Sequence, residues 1–241
     1  MNWDWQIVID SIPQLLSGAV MTVQLVVISG ILGLIFGLVL ALLRLHPNKL
    51  VSTLPFLYIF FFRGTPLLVQ IFLIYYGLSQ FDFMKESVLW EPIFKEKYWC
   101  AILAFTLNTS AYIAEIIRGA IQSIPKGELE AADAIGMSSW QKLTRITLPR
   151  AFGIMLPAYS NEVIFMLKGS ALAMTITLVE ITYMTKDIAA RTFRIFEVYF
   201  AAGILYLLLT WVILFCFKLL EKRMNRHQNY VPPDVATSTI R

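Results

Sequence analysis

Three charged side chains stand inside apolar stretches of this sequence, where an ionised group needs a compensating partner. Arg63, Glu115 and Glu162 each fall in a different run of mainly apolar residues. A charge in hydrocarbon is costly unless it faces a water-filled cavity or an opposite charge. These residues are therefore candidates for binding a charged small molecule, for coupling to an ion, or for pairing with another side chain.

Arg63 precedes Gly64-Thr65-Pro66. Proline removes a backbone donor and disfavours helix at the residue before it, so we predict that the helix is interrupted here. We expect Thr65 to cap a new half-helix that starts at Pro66. The N-terminus of a half-helix at membrane depth binds anions, which makes Arg63 and Thr65 a candidate carboxylate site. The alternative is a proline kink, with Arg63 extended to the cytoplasmic surface.

A polar stripe is predicted on the apolar helix that contains Glu115. Asn108, Tyr112 and Glu115 stand at positions i, i+4 and i+7, which share one helix face. Such a stripe is typical of a translocation path. The alternative is that Glu115 pairs with Arg118 three residues later.

Glu162 lies about ten residues from the start of its apolar run near Phe152, or about 15 Å along a helix, half of a ~30 Å hydrocarbon core. No Lys or Arg stands three or four positions from it. We therefore predict that Glu162, with its neighbour Asn161, binds a cationic group. An ion pair with Arg63 or Lys168 on folding is the alternative.

The elements that hold these residues are predicted to be membrane-length helices. Of the 241 residues, 58% are hydrophobic and 15% are charged, whereas a soluble domain carries about 25% charged residues. The sequence predicts an all-α integral membrane protein with about five transmembrane helices in one domain, residues 19–220. The predicted spans are about 19–43, 54–80, 98–121, 152–176 and 198–220, between an N-terminal segment 1–18 and a tail 221–241.

The distribution of basic residues predicts the orientation of these spans. Lys and Arg concentrate after the first span, around residues 118–150 and at the end of the chain. By the positive-inside rule these flanks are cytoplasmic, so the N-terminus lies outside, in the periplasm, and the C-terminus inside. Three basic residues depart from this pattern, on the side predicted to be external: Lys186, Arg191 and Arg194.

Several function classes are excluded by composition. The two Cys stand in different apolar runs and the two His are isolated, so we predict no disulfide framework and no metal site. No Gly is followed by Lys, which excludes a P-loop for ATP. We predict no catalytic residues, and the net charge of +4 is assigned to cytoplasmic loops and not to nucleic-acid binding.

Residues 125–150 form a polar interruption between two spans. Pro125 suits a first helical position, and Gly136 suits the left-handed conformation that ends a helix. Ser138 and Gln141 have the spacing of a capping box, and Pro149 is expected to end the second helix. The sequence therefore predicts two short helices that meet at an angle.

The same interruption contains a spaced motif. It matches EAA-x3-G-x9-I-x-LP through Glu130-Ala131-Ala132, Gly136, Ile146 and Leu148-Pro149. This is the motif of ATP-binding-cassette (ABC) importer permeases, and residues 10–225 resemble the permeases of polar amino-acid uptake systems. Three further stretches resemble the M-type permeases of arginine and histidine transporters: RGTPLLVQIFLIYYG (63–77), LNTSAYIAEIIRGAI (107–121) and PAYSNEV (157–163).

The resemblance implies a type I ABC-importer permease fold in the bacterial inner membrane. It implies a basic amino-acid substrate, most closely L-arginine, and no cofactor in this chain, since ATP and Mg belong to the partner ATPase. The implied partners are an ATPase dimer, a homologous second permease, a periplasmic substrate-binding protein and the lipid bilayer. The segment that contacts the ATPase would include Glu128, Glu130, Ala131, Ala132 and Gly136.

Alternatives remain at this stage. Histidine, lysine, ornithine or opines are near alternatives to arginine, and the second permease is either a distinct chain or a second copy. A carrier that acts alone would use Glu115 and Glu162 to couple to an ion, but it has no need of an ATPase-docking segment. A membrane enzyme would need a nucleophile or metal set that the sequence lacks.

Overall fold

A computed structural model describes residues 3–224, and within that range the chain is helical with no strand. The helices are α1 (Trp5–Arg44), α2 (Lys49–Gly64), α3 (Leu67–Phe72), α4 (Asp82–Lys85), α5 (Lys97–Gln122), α6 (Lys126–Ala134), α7 (Ser139–Lys142), α8 (Leu148–Gly169), α9 (Ile181–Thr192) and α10 (Ile195–Met224). The predicted tail lies outside the described residues except for 221–224, which end α10.

Among residues 3–224, three helices are long and apolar enough to cross a membrane: α1, α5 and α10. Two further pairs of helical segments are each bent at a short break: α2 with Leu67–Gln80, and Ser139–Ile176 with α9. If each pair counts as one span, the number of spans rises to five. The prediction of an all-α protein with about five spans is confirmed by the length and composition of these helices. Residues 5–18, which the sequence analysis set apart from the first span, belong to the same 40-residue helix.

Helix α1 packs closely along α5. A Cβ atom at Gly33 would collide with Cγ2 of Thr109, and one at Gly37 would lie 2.9 Å from Cγ2 of Ile113. Both glycines are therefore needed for the close approach, as in other small-xxx-small contacts between membrane helices. This contact fixes the position of α5, which carries much of the candidate site.

The break at Pro66 is present, and the two arms of this span meet at 106°. Thr65 does not cap the second arm as predicted; it ends α2, and its hydroxyl donates to the Phe61 carbonyl at 2.8 Å. Pro66 occupies the N-cap position of α3 without a side-chain cap. The correction follows from the extended backbone of Thr65, whose side chain turns back onto the preceding helical turn.

The region 180–197, which lies between the fourth and fifth predicted spans, contains helix α9. Glu180 caps it, since its carboxylate accepts hydrogen bonds from the backbone N–H of Thr182 at 2.8 Å and of Tyr183 at 2.7 Å. The same carboxylate accepts from the hydroxyl of Tyr206 in α10 at 3.1 Å. The buried cap thus joins α9 to α10 and makes the polar segment helical.

The two short helices predicted in 125–150 are α6 and α7. Gly136 has a φ of +78°, and the capping box of Ser138 and Gln141 is complete, so both of these predictions are confirmed. Pro125 is the N-cap of α6 and not its first residue. Pro149 does not end a helix as predicted, because a π-helical turn at Leu143–Thr147 leads directly into α8 and widens the turn ahead of the proline.

Candidate functional site

Two cavities meet at Tyr112, and together they contain most of the charged residues singled out in the sequence. The first, here the glutamate cavity, has a volume of about 390 Å³ and is lined by Leu67, Phe105, Asn108, Tyr112, Glu162, Phe165 and Met166. The second, here the arginine cavity, has a volume of about 530 Å³ and is lined by Arg44, Phe56, Ile59, Phe60, Arg63, Gly64, Tyr112, Glu115 and Arg118.

Glu162 is a buried carboxylate with one hydrogen bond from the part of the chain that the structure describes. Its side chain accepts from the Thr109 hydroxyl at 2.9 Å, and the residue is only 9% exposed. Within residues 3–224 no Lys or Arg nitrogen lies within 4.0 Å of it. The alternative of an ion pair with Arg63 or Lys168 is therefore not what the structure shows, and the charge faces the cavity.

Thr109 reaches Glu162 because of the α1–α5 contact. Its methyl group fills the space that a side chain at Gly33 would occupy. The hydroxyl is thereby directed towards α8, where it meets Glu162. A glycine in α1 thus leaves room for the α5 residue that donates to a carboxylate in α8.

Glu115, unlike Glu162, is part of an ion pair. Arg118 binds it with its Nε at 3.0 Å from both carboxylate oxygens and with one terminal nitrogen at 2.6 Å. This is the pairing that the sequence analysis gave as the alternative for Glu115. The pair lines the arginine cavity, where it leaves the charge of Glu115 compensated.

The two other arginines of the arginine cavity lie over aromatic rings. Cζ of Arg63 is 5.2 Å from the ring centroid of Tyr112, and Cζ of Arg44 is 4.9 Å from that of Phe56. Tyr112, which Arg63 overlies, lines both cavities. Arg63 and Glu162 thus belong to neighbouring cavities that share one aromatic side chain.

A carboxamide pair holds the break between α2 and α3. Pro66 has no N–H, so the Phe62 carbonyl loses its usual helical donor. Nε2 of Gln70 lies 3.0 Å from that oxygen, and Nδ2 of Asn108 lies 3.3 Å from it. Asn108 also donates to Oε1 of Gln70 at 2.9 Å. Asn108 therefore both lines the glutamate cavity and fixes the break.

Gln70 was not identified from the sequence, although a signal was available. A buried carboxamide four residues after a proline is positioned to replace the hydrogen bond that the proline removes. The side chain is 2% exposed and also lies within hydrogen-bond distance of the Thr65 carbonyl and hydroxyl oxygens, at 3.1 and 2.8 Å. Its role depends on a bend that only the folded chain shows.

Two predicted binding residues lie outside both cavities. Thr65 is engaged at the break, as described above. Asn161 is exposed and belongs to an exposed stripe along α8. The stripe consists of Ile154, Pro157, Ala158, Asn161, Phe165 and Lys168. Asn161 is next to Glu162 in sequence, but one helical residue separates their directions by about 100°, and on its own face it is followed four positions later by Phe165, which lines the glutamate cavity.

The segment predicted to contact an ATPase has an inner and an outer face. Ala132 is 2% exposed, and Glu128 forms an ion pair with Arg150, with Nε 2.9 Å from the carboxylate. The inward face is thus the one with Ala132, which the sequence analysis had counted among the residues that contact the ATPase. The outer face presents exposed Glu130 and Ala131 beside the turn at Gly136.

Two large apolar side chains, not singled out in the sequence, extend this outer face. Ile135 is 77% exposed and Trp140 is 71% exposed, on either side of Gly136. Exposed apolar groups in a polar segment are typical of a surface that a protein partner covers. Over the same described range, 3–224, no group of three or more His, Cys, Asp or Glu side chains could hold a metal ion.

Comparison with known proteins gives consistent matches over most of the chain. Residues 33–226 match the family model described as "Binding-protein-dependent transport system inner membrane component". The nopaline transport system permease protein NocM of Agrobacterium fabrum is 45% identical over 225 residues, which cover 93% of each chain. The histidine/lysine/arginine/ornithine transport system permease protein HisM of Escherichia coli K12 is 40% identical over 211 residues, 88% of this chain and 89% of HisM.

A solved structure supports the same fold. A chain from the "Crystal structure of an amino acid ABC transporter with histidines" superimposes with a TM-score of 0.81 at 33% identity. The match covers 92% of this chain and 100% of that chain. The overall arrangement of helices therefore belongs to a known architecture.

Proposed function

The chain belongs to the family of inner membrane components of binding-protein-dependent transport systems, and from this premise we propose that it forms part of the path of an ABC importer for a basic amino acid, L-arginine first, or for an opine. It is a multi-pass membrane permease and not an enzyme. ATP hydrolysis belongs to a separate ATPase subunit. The single observation that carries the substrate proposal is the unpaired carboxylate of Glu162 in a cavity.

A cationic substrate supplies the charge that Glu162 lacks. A buried carboxylate is tolerated when a cation or several hydrogen bonds compensate it, and Thr109 provides only one bond. Arg63 lies on the other side of Tyr112, where it can receive the carboxylate that all amino acids share. A molecule with a cationic side chain and an α-carboxylate satisfies both groups at once, and arginine is such a molecule.

The names of the relatives support a basic substrate and leave its identity open. HisM is named for histidine, lysine, arginine and ornithine, and NocM is named for nopaline. Histidine, lysine, ornithine and opines therefore remain alternatives to arginine. The shared requirement in our proposal is a positive group that Glu162 can bind.

The α6–α7 segment is the proposed docking site of the ATPase. Its exposed face combines Glu130, Ala131, Ile135 and Trp140 around the turn at Gly136. The pair between Glu128 and the α8 residue Arg150 ties α6 directly to the helix that bears Glu162. Closure of the ATPases on nucleotide would thus move α8, which is the basis of alternating access in this proposal.

A second, homologous permease is the proposed cover of the exposed stripe on α8. Asn161 and Lys168 lie on this stripe in a membrane-length helix, where contact with lipid would leave polar groups unsatisfied. Packing against a second permease shields them. We further propose that the N-terminus lies in the periplasm and α6–α7 in the cytoplasm, as the basic flanks predict, with a periplasmic binding protein delivering the substrate.

Co-purification and uptake test this function. Tagged protein from its native membrane should bring down an ATPase and a second permease, and the complex should accumulate radiolabelled arginine in proteoliposomes when ATP and binding protein are supplied. Uptake that is driven by an ion gradient and needs no ATP would favour the stand-alone carrier and contradict the proposal.

Gly136→Asp tests the docking segment within that assay. We expect several-fold lower uptake and a loss of ATPase stimulation by loaded binding protein, with normal insertion in the membrane. The reason is the positive φ of Gly136, which costs other residues about 1 kcal/mol or more, together with a new charge on the docking face.

The matched control for that variant is Gly127→Asp. It adds the same charge to α6 at a glycine without positive φ and with open space at the Cβ position. The docking role of the turn is contradicted if Gly136→Asp retains wild-type coupling, or if both variants lose coupling equally.

A further inference from the structure

Helix α10 packs tightly against the rest of the bundle only near its start. Its buried residues all lie between Glu197 and Ala202, and no residue after them is buried up to Met224, where the described chain ends. Farther along, α10 meets α8 through the rings of Tyr159 and Phe217, whose centroids lie 5.5 Å apart. Most of α10 therefore stands at the edge of the bundle without a close protein neighbour.

A groove runs between α10 and the two helices next to it. It has a volume of about 340 Å³ and is here called the seam groove. Its lining comes from three stretches, one in each helix: 23–31 in α1, 159–167 in α8 and 209–217 in α10. It is separate from the glutamate and arginine cavities, with which it shares no lining residue.

The seam groove offers almost no polar group to a water molecule. Besides the thiol of Cys216, its polar side chain is that of Tyr159, and the Tyr159 hydroxyl already donates to the Gly30 carbonyl at 3.1 Å. A water molecule in a cavity needs two to four polar partners, and apolar cavities stay dry. The groove therefore suits a hydrocarbon chain.

The second permease that we propose as the cover of the exposed α8 stripe does not cover this groove. Tyr159, Val163 and Leu167 line the groove and stand at i, i+4 and i+8 on one face of α8. The exposed stripe contains Asn161 and Phe165. At about 100° per residue, the centres of these two faces of α8 point about 180° apart.

A basic cluster follows the groove along α10. It consists of the exposed residues Lys218, Lys222 and Arg223. Arg223 stands seven residues after Cys216, which turns it to within about 20° of the groove face, whereas Lys222 points about 120° from Cys216. Among residues 3–224, Arg223 forms no ion pair. One unpaired guanidinium therefore lies on the same face of α10 as the groove.

The distance from Arg223 to the groove matches the length of one lipid leaflet. Half of a ~30 Å hydrocarbon core is about 15 Å, which is about ten residues of helix. Counted back from Arg223, that length reaches Ile213 and passes Phe217 and Cys216, all of which line the groove. An acyl chain whose headgroup lies at Arg223 therefore ends inside the seam groove.

We propose that the seam groove and Arg223 form a binding site for an anionic phospholipid, with an acyl chain between α1 and α10 and the phosphate at the Arg223 guanidinium. Guanidinium binds phosphate through directional, charge-assisted hydrogen bonds. A zwitterionic lipid has its own cation beside the phosphate, so the site prefers a lipid with net negative charge. The inference goes beyond the transport function and does not depend on which molecule is transported.

Photocrosslinking of the purified, delipidated complex tests the site. The complex is incubated with a phosphatidylglycerol or a phosphatidylethanolamine that has the same diazirine-labelled acyl chain, and the labelled peptides of this chain are quantified by mass spectrometry. We expect labels within 23–31, 159–167 and 209–217, at a level about fivefold higher with phosphatidylglycerol.

Arg223→Gln should lower the labelling by phosphatidylglycerol about fivefold and leave that by phosphatidylethanolamine within about twofold. Lys222→Gln is the matched control, because it removes the same charge one residue away, from an equally exposed position that points away from the groove. Labelling should stay within about twofold of wild type in that variant.

Val212→Trp tests the groove itself, since it places a large side chain in the lining, and should abolish labelling by both lipids. Leu214→Trp is its control, at a similarly exposed residue of α10 that does not line the groove, and should keep the labelling. If Val212→Trp does not assemble, the two charge variants still decide, because both change exposed side chains at the end of α10.

Equal labelling by the two lipids in wild type overturns the inference, as does an equal effect of Arg223→Gln and Lys222→Gln, or labelling confined to peptides outside the groove. A protein occupant is tested in native membranes with a photoactivatable maleimide on Cys216, which is exposed and lines the groove, whereas Cys100 is buried. Crosslinks from Cys216 to lipid support the inference, and crosslinks to a second protein overturn it.

Discussion

The glutamate cavity and the arginine cavity contain similar residue types but differ in how their charges are compensated. In the first, the carboxylate of Glu162 faces open space with one neutral donor, Thr109. In the second, the carboxylate of Glu115 is held by Arg118. Of two intramembrane glutamates of the same chain, one thus faces a cavity and the other is held in an ion pair, and the difference is the presence of an arginine on the same helix face as Glu115.

The two cavities also differ in which charged residues line them, with Glu162 in the first and Arg63 in the second. Tyr112 lines both cavities and lies under Arg63, and Arg63 and Glu162 form no ion pair with each other. Two separated, unpaired charges suit a ligand that has both charges itself. The following changes test this division, from the largest expected effect to the smallest.

Glu162→Gln removes the negative charge and keeps the shape of the side chain. We expect arginine binding and uptake to fall about tenfold to a hundredfold, because a charge-assisted hydrogen bond contributes roughly 1.5–3 kcal/mol. Assembly and basal ATPase activity should persist. Glu86→Gln, at an exposed residue outside the spans, is the control. Wild-type uptake by the Glu162 variant would show that this carboxylate is structural, like Glu115.

Arg63→Ala removes the positive charge nearest to Tyr112. We expect uptake of every amino acid that the system carries to fall by about tenfold, since all have the α-carboxylate. The measurement is competition by arginine, histidine and lysine against one labelled substrate. A loss confined to cationic substrates would mean that Arg63 does not bind the carboxylate, and the assignment of the two cavities would need revision.

Gly33→Ala alters the glutamate cavity without touching its lining. The new Cβ would meet Cγ2 of Thr109, displace the hydroxyl from Glu162, and cost about 1–3 kcal/mol of stability as overpacking. We expect arginine affinity to fall by about threefold to tenfold. Gly203→Ala, in α10 with nothing near its Cβ position, is the matched control. Equal arginine affinity in both variants would exclude a role of the α1–α5 contact in positioning Glu162.

Gln70→Leu affects the break that separates Arg63 from α3. Loss of the Gln70 carboxamide leaves the Phe62 carbonyl with Asn108 as its nearest donor. We expect the free energy of unfolding to fall by about 1–3 kcal/mol, measured as a lower thermal midpoint of the purified complex. Pro66→Ala in the same chain restores a backbone N–H and should recover the midpoint. Failure of the double variant to recover would show that Gln70 stabilises something other than the break.

The local features of the fold follow from the sequence. Length and hydropathy predict the membrane helices, since a span of about 20 apolar residues satisfies its own backbone hydrogen bonds. The break at Pro66, the left-handed Gly136 and the capping box of Ser138 depend on neighbours a few residues away, and all three are confirmed. The prediction that a helix ends at Pro149 was wrong, because a π-helical turn precedes the proline and accommodates its missing backbone N–H.

What surrounds each charged group was decided by tertiary structure. The sequence offered Arg118 as a partner for Glu115 and no basic neighbour on the same helix for Glu162, but it did not show which residues of other helices Glu162 and Asn161 would meet. The contacts that decide between them join residues distant in sequence, such as Thr109 with Glu162, 53 positions apart, and Gln70 with Asn108, 38 positions apart. Helix packing sets these contacts, and packing depends on shapes such as Gly33 against Thr109, which the order of residues along one helix does not reveal.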